Sequence, residues 1–376
     1  MERVILGLSG GVDSAVAAYL LKKQGYEVIG VFMRNWDSLI NNDISGNPQD
    51  FNDICPQEQD YMDAVKVATE LGIELLRVDF IKEYWDNVFT YFLNEYKNNR
   101  TPNPDVLCNN EIKFKAFIKY AQTLNYDYIA MGHYAKIEVI DNVRHLAKAF
   151  DTSKDQSYFL SQLTKEQLSK VIFPLENLTK TEVRKIALDN HLAVATKKDS
   201  TGICFIGERD FNKFLDNYLP SKKGDIRRMD GSFIKTHEGL MYYTIGQRKG
   251  LGIGGSNKSL EPYFVVGKDV KNNTLYVEPG SSNIYLLSNN AIIKDVIWRF
   301  DNKEMSGLCA KFRYRQADIK VTIKWINDNS FHIFYDDLAS VTPGQVCAIY
   351  YKNICVGSGF IDSVYYNNDL RVYING

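Results

Sequence analysis

The run Val4-Ile5-Leu6-Gly7-Leu8, followed at once by Ser9-Gly10-Gly11-Val12-Asp13-Ser14, constrains the fold of this chain more than any other feature. An unbroken apolar run of that length fits a strand buried on both faces, the habit of parallel sheets covered by helices. Two adjacent glycines then let the backbone turn tightly and approach an anion with no Cβ in the way. A helix opens where the glycines end, so its unpaired N–H groups and its dipole favour phosphate at that turn. Ser9 and Ser14 add hydroxyl donors, and Asp13 is a candidate to hold Mg2+ against the phosphate charge. The loop is neither the Walker pattern, which ends Gly-Lys-Ser/Thr, nor the G-x-G-x-x-G dinucleotide fingerprint.

The same rhythm continues through the first two hundred residues. Strand-like runs recur at Val28 to Met33, Ile73 to Val78 and Tyr128 to Met131, separated by helix-length segments at Ser14 to Lys23, Gln57 to Leu71, Tyr84 to Tyr96 and Ile112 to Leu124. Strand alternating with helix predicts an α/β domain with a parallel sheet and helices on both faces. Asn41 to Pro56 is a polar interruption carrying Gly46 and Pro48, read as a mobile insertion. Beyond Phe205 the texture changes. Glycines crowd Gly224 to Gly255, and from Asn290 the pattern has period two, as in Ile319 to Trp325 and Phe331 to Tyr335. Short strands broken by turns predict a small β-barrel or sandwich. A length of 376 residues suits two or three domains. The expected division is residues 1–205 as the catalytic α/β domain, 206–280 as a small Gly-rich central domain, and 281–376 as a C-terminal β-barrel.

Composition narrows the function classes. Hydrophobic residues make up 45% and charged ones 24%, which excludes disordered and fibrous chains. The formal net charge of -1 leaves no global basic excess, so a nucleic-acid site must be a local patch. Two such patches exist. Residues 209–258 hold ten Lys/Arg against five Asp/Glu, and residues 311–324 hold five against one. In the second, Phe312 and Tyr314 lie among the basic residues and Trp325 directly follows them, as RNA bases stacking on rings would require. Arg227-Arg228 reads as surface charge. No apolar stretch approaches the ~20 residues that span a bilayer, and no charged leader precedes the first strand, so no membrane partner and a cytoplasmic location are expected.

Six cysteines without a C-x-x-C pair argue against a disulfide framework, a zinc ribbon and a thioredoxin motif. Two of them sit in polar loops. In Thr101-Pro102-Asn103-Pro104-Asp105-Val106-Leu107-Cys108-Asn109, prolines stiffen the segment and Cys108 precedes a helix that Asn109 or Asn110 can cap. A thiol at a helix N-terminus has its thiolate stabilised, as a nucleophile or sulfur carrier needs. Asp105 is close enough in sequence to act as general acid or base. In Lys197-Lys198-Asp199-Ser200-Thr201-Gly202-Ile203-Cys204-Phe205, Cys204 stands beside two lysines, a second setting that favours thiolate. Cys309, Cys347 and Cys355 fall in alternating strand patterns and read as core. Cys55 is read as non-catalytic.

Ser9 to Ser14 resembles the PP-loop of the ATP pyrophosphatases, which split ATP between the α and β phosphates. With Thr101 to Cys108, Met131-Gly132-His133-Tyr134, Lys154 to Leu160, Ser200 to Phe205, Tyr243 to Gly252 and Arg313-Tyr314-Arg315-Gln316 in the same order, the whole chain resembles the bacterial tRNA-specific 2-thiouridylases (the MnmA/TrmU family). The resemblance implies ATP-dependent 2-thiolation of the wobble uridine in tRNAs for Lys, Glu and Gln. It assigns Gly7, Leu8, Ser9, Gly10, Gly11, Val12, Asp13, Ser14, Met33 and Gly132 to ATP. It makes Cys204 the persulfide carrier and Cys108 the attacking or resolving thiol, with a transient disulfide between them, and Asp105 the acid/base. Asn103, Pro104 and Asp105 would hold the target base. His133, Lys154, Asp155, Gln156, Arg313, Tyr314, Arg315 and Gln345 would contact the tRNA, with Tyr314, Arg315 and Gln345 at the anticodon arm. A cysteine desulfurase or a sulfur-relay carrier protein would supply the sulfur. The alternative is another PP-loop enzyme of the 4-thiouridine or 2-thiocytidine type.

Overall fold

The computed structural model describes residues 1–44, 56–199, 210–253 and 261–371 and the backbone of 374–375. The chain divides into two compact units, one made of Met1–Thr90, Pro104–Asp210 and Asn353–Val356, the other of Tyr91–Asn103, Phe211–Lys352 and Gly357–Gly376.

The first unit is built on a parallel sheet. Its strands are β1 (Arg3–Gly7), β2 (Glu27–Arg34), β3 (Glu74–Asp79) and β4 (Tyr128–Ala130), ordered β3-β2-β1-β4 with Val171–Ile172 outside β4. Val4 pairs with Val28 on one side and Tyr128 on the other, so β1 lies in the middle. The chain builds outward from β1 to β3, then returns to the far side of β1 as β4. That reversal opens a crevice at the carboxyl ends of β1 and β4, where open α/β sheets bind ligands. Helix α1 (Val12–Lys23) packs on the sheet through Ala15, Val16, Ala18 and Leu21, all fully buried with Val4, Leu6 and Leu8. Alanines on that face let the helix approach closely, and each fully buried Leu or Val contributes roughly 1.5–3 kcal/mol. Helix α2 (Pro56–Leu71) adds Ala64, Val67 and Ala68 to the same core.

Two expectations need revision, and one further element appears that the sequence analysis did not include. The polar interruption is already folded at its start, since Asn41 and Asp43 are buried and the Trp36 Nε1–H donates to Asp43 Oδ2 at 3.0 Å; residues 45–55, including Cys55, lie outside the described residues. The helix expected from Ile112 begins at Pro104 and runs through Pro104–Leu107, Cys108–Ala116 and Phe117–Ala121. Proline is well suited to a first helical turn, where its missing N–H costs nothing. Finally, a hairpin of Lys136–Ile140 and Val143–Ala147 follows β4. It turns on Asp141 and Asn142, both at positive φ, the signature of a tight two-residue hairpin.

The second unit is β-rich. Ile374–Asn375, Tyr263–Asp269, Thr274–Pro279, Gly224–Arg227 and Phe233–His237 are neighbours in that order in one sheet. The later strands pair antiparallel, with Leu287–Trp298 between Ser330–Ala339 and Ile354–Tyr366. Along Ser330–Ala339 the buried residues Phe331, Ile333 and Tyr335 alternate with half-buried His332 and Phe334, as the period-two pattern predicts. Cys347 and Cys355 are core, and Cys309 is half-buried. Among the described residues no helix is long and apolar enough to cross a membrane.

Candidate functional site

The glycine loop leaves the end of β1 and enters α1 with Gly11 as its N-cap and no side chain capping the first turn. The first N–H groups of α1 therefore face outward with the positive end of the dipole behind them, an arrangement suited to an anion. Gly10 has φ +72, and a Cβ there would overlap the Asp60 carbonyl oxygen of α2. Only glycine satisfies both conditions. Ser14 donates from Oγ to the Gly11 carbonyl (3.0 Å) and accepts from the Ser9 N–H (3.2 Å), which closes the loop on itself.

The other sequence-expected nucleotide residues converge here. A Cβ on Gly132 would lie 2.9 Å from the Ser14 nitrogen, so the turn after β4 presses directly on the start of α1. A Cβ on Gly7 would meet Met131 Sδ at 2.6 Å and Met33 Cε at 3.2 Å, which places both methionines at the carboxyl edge beside the loop.

Around the loop stands a charged network that the sequence did not announce. Asp13 Oδ1 accepts from the Tyr134 hydroxyl (2.8 Å) and from Lys180 Nζ (2.7 Å). Lys180 also pairs with Asp199 Oδ1 at 2.8 Å, and Arg184 and Lys154 reach the same carboxylate. Burial opposes ionisation of Asp199, yet Lys180 and Lys154 hold its pKa down to about 2. Burial and the Asp13 charge push the Tyr134 hydroxyl far above the ordinary tyrosine range, so it stays a donor. Lys197 donates to the Gly10 carbonyl (3.0 Å), Asp60 Oδ1 (2.7 Å) and Asp63 Oδ2 (2.7 Å). Burial works against its charge, but the two aspartates outweigh it and hold the ammonium above the usual lysine range. Lys197 thus clamps the glycine loop to α2. Cys204 and the 200–209 segment lie outside the described residues.

Cys108 is fully buried in the second turn of the helix begun at Pro104, not at a helix N-terminus as the sequence suggested. The dipole fades beyond the first turn, so it does little for this thiol. Its helix has a wide turn, with the Phe117 N–H bonding five residues back to Ile112. Such turns are rare and recur at functional sites. Asp105 stands half-buried in the first turn, where a carboxylate is favoured. The neighbouring Asn109 is buried; its Oδ1 lies 3.1 Å from His133 Nε2, and its Nδ2 donates to the Phe159 carbonyl. Because His133 follows Gly132, this pair links the Cys108 helix to the loop. Burial, then the Lys113 charge, holds His133 well below the ordinary histidine range, so its ring is neutral at pH 7.

Several residues assigned to tRNA by resemblance do internal work. Asp155 is buried and accepts from Ala149 N, Ser157 N and the Ser157 hydroxyl. Gln156 Oε1 accepts from Tyr134 N, and Lys154 pairs with Asp199. In the second unit, Arg313 Nη2 donates to the carbonyls of Ile245 (3.0 Å) and Ser340 (2.6 Å) and to Thr342 Oγ1 (3.0 Å). Gln345 Nε2 donates to the carbonyls of Thr101 (2.8 Å) and Pro102 (3.2 Å), just ahead of Asn103. Arg315 is exposed, and Tyr314 half-buried. Arg227 and Arg228, read as plain surface charge, pair with Asp225 and with the buried Glu278.

A parallel sheet whose central strand delivers a phosphate-accepting loop at its topological reversal, followed by β-rich domains, defines a nucleotide-binding α/β class of protein. Three family models match in succession: the tRNA methyl transferase HUP domain over residues 2–208, its PRC-barrel domain over 212–279 and the aminomethyltransferase β-barrel domain over 288–361. The tRNA-specific 2-thiouridylase MnmA of Acholeplasma laidlawii is 61% identical over 99% of this chain and 99% of its own length. Those of Phytoplasma australiense (58%, over 99% and 100%) and Mesoplasma florum (54%, over 96% and 99%) are similar along the same span. The chain belongs to the MnmA family of tRNA-specific 2-thiouridylases.

Proposed function

We propose that this chain is an ATP-dependent tRNA 2-thiouridylase that exchanges the C2 oxygen of the wobble uridine for sulfur, in tRNAs for Lys, Glu and Gln. Full-length identity of 61% to a protein of that activity carries the reading. The geometry of the glycine loop supports it, because C2 is a urea-like carbonyl whose oxygen cannot leave unaided. ATP supplies the leaving group, since adenylation turns that oxygen into part of AMP. The amides of Gly11 to Ser14 would receive the departing pyrophosphate, with Met33 and Gly132 beside the nucleotide.

Mg2+ would arrive on the triphosphate rather than in a protein cage. Among the described residues no three His, Cys, Asp or Glu side chains cluster as metal ligands. Asp13, the candidate ligand, has Lys180 and Tyr134 on its Oδ1.

Sulfur would come from a Cys204 persulfide. Cys108 would attack Sγ of Cys204, either expelling hydrosulfide that adds to C2 and displaces AMP, or, after the persulfide's outer sulfur has itself added to C2 and displaced AMP, freeing the thiolated base. Each route leaves a Cys108–Cys204 disulfide for a reductant to reopen. Asp105 would move the proton, and Asn103 and Pro104 would hold the base. Gln345 supports the segment they stand on. Arg315 and Tyr314 would meet the anticodon arm, and a cysteine desulfurase or sulfur-relay protein would load Cys204. The enzyme would work in the cytoplasm, beside its tRNA substrates.

Incubation with unmodified tRNA, ATP, Mg2+ and a persulfide source, followed by nucleoside mass analysis, is expected to yield 2-thiouridine at the wobble base. Cys204→Ser should abolish the product while ATP binding survives; a thiolating Cys204→Ser variant would sink the assignment. A methylated nucleoside would instead match the family-model descriptions, and 4-thiouridine or 2-thiocytidine the alternative PP-loop chemistries.

A further inference from the structure

We infer that Lys180 is a ligand for nucleotide phosphate at the glycine loop, and that Asp199 competes with that phosphate for it. The inference rests on the ATP reading above and adds a residue to it. Lys180 Nζ lies 2.7 Å from Asp13 Oδ1, on the second residue of α1, and 2.8 Å from Asp199 Oδ1. Its helix, Lys180–Asp189, is fixed at its start by the reciprocal Thr179 and Glu182 caps, and the Lys180 N–H is held by Asp151 Oδ2 at 2.9 Å. The ammonium is thus delivered to the loop by a rigid element. Its side chain is 13% exposed, so water screens the pair weakly.

The partners differ in what they lose if Lys180 turns to a phosphate. Asp199 keeps Arg184 at 2.6 Å and Lys154 at 3.2 Å, so it remains compensated. Asp13 keeps the Tyr134 hydroxyl. Lys197 cannot make the same move, because two aspartates and the Gly10 carbonyl hold it in place as part of the loop's own support. A phosphate at the α1 N-terminus would offer Lys180 more negative charge than either carboxylate. Drawing Lys180 toward it loosens the hold on Asp199, and by linkage, loosening Asp199 strengthens the hold on phosphate. Occupancy of the loop would thereby be felt by the Lys197–Asp199 segment that leads in sequence toward Cys204.

Titration calorimetry of the full chain with ATP, inorganic pyrophosphate and AMP tests this. Lys180→Ala should weaken ATP and pyrophosphate binding about tenfold or more, the size of a lost charge-assisted hydrogen bond, and change AMP binding little. Asp199→Asn should tighten ATP binding roughly threefold, the scale of a partly exposed ion pair, and should do so only while Lys180 is present. Lys180→Arg should restore most of the affinity. Unchanged ATP affinity in Lys180→Ala, or AMP binding that falls as far as ATP binding, overturns the inference, as does an Asp199→Asn variant that weakens ATP in both backgrounds. If Lys180→Ala does not fold, Asp199→Asn alone decides, since it removes a partly exposed carboxylate and reads the same competition. A wild-type chain that binds no ATP would overturn the nucleotide reading itself, an outcome separable from all of these.

Discussion

The charged side chains at the loop of the first unit and those of the second unit's basic segment look alike in sequence and behave differently in structure. Lys180 and Lys154 pair with carboxylates, partners that an incoming anion can replace. Arg313 of the basic segment, like the uncharged Gln345 further along, donates to backbone carbonyls of its own unit. A carbonyl deserted inside a fold costs roughly 1–3 kcal/mol, whereas an ammonium that exchanges a carboxylate for a phosphate keeps a charged partner throughout. The first arrangement is poised to respond to a ligand; the second builds the surface on which a ligand rests.

Gly10→Ala should break the first region most severely. A Cβ would overlap the Asp60 carbonyl, and the positive φ would strain any side chain. Loss of ATP binding by about a hundredfold or more is expected, with a stability loss on the order of 1–3 kcal/mol. Gly11→Ala is the control, because its nearest neighbour is Ser9 Oγ at 3.6 Å and the stability should hold. Equal thermal stability of Gly10→Ala and wild type would refute the reading of the loop as wedged against α2.

The corresponding change in the second region is Arg313→Ala. The Ile245 carbonyl and the Thr342 hydroxyl lose this donor, while the Ser340 carbonyl keeps the Thr342 hydroxyl, so the unfolding midpoint should fall by the equivalent of about 1–3 kcal/mol, and tRNA affinity should fall with it. Weakened tRNA binding with an unchanged denaturation midpoint would make Arg313 a direct contact and erase the contrast between the regions.

The contrast also marks what the sequence could show. Four of the sheet strands were legible because burial on both faces leaves unbroken apolar runs, and nothing distant alters that requirement. The helix start at Pro104 was hidden because polar Asn109 stands on a buried face, where His133 and Phe159, far along the chain, satisfy it. For the hairpin after β4, Asp141-Asn142 was an available signal that went unused. The glycine loop could be read because its conformation is local. Its charged surroundings could not, since Lys180 and Lys197 reach it from 167 and 187 positions away. No spacing rule encodes an ammonium's partner across such a gap. Lys197 is the plainest case: nothing in its sequence neighbourhood points to Gly10, which its side chain supports.

Lys268 sharpens the comparison through pH. It is buried, with Nζ donating to the Asn99 carbonyl at 2.9 Å, and burial pushes its pKa down to about 7. Between there and the ordinary value of about 10.4, the unfolded chain holds a proton that the folded chain lacks. Stability of the second unit should therefore rise with pH across that window and level off below about 7, where both states are protonated. Urea midpoints at about pH 7 and about pH 9 should differ more for wild type than for Lys268→Met. Identical pH slopes would mean that the ammonium stays charged in the fold.

The smallest effect belongs to Arg315, which is exposed and stands two residues from Arg313. If Arg313 builds the surface and Arg315 meets phosphate, Arg315→Ala should leave the denaturation midpoint unchanged. It should weaken tRNA binding evenly across isoacceptors and lower the slope of log affinity against log salt by about one. Fluorescence titrations of labelled tRNA at several salt concentrations would measure this. An unaltered slope would show that Arg315 meets no phosphate, and the anticodon-arm assignment would pass to other residues of the basic segment, beginning with Tyr314 and its capacity to stack on a base.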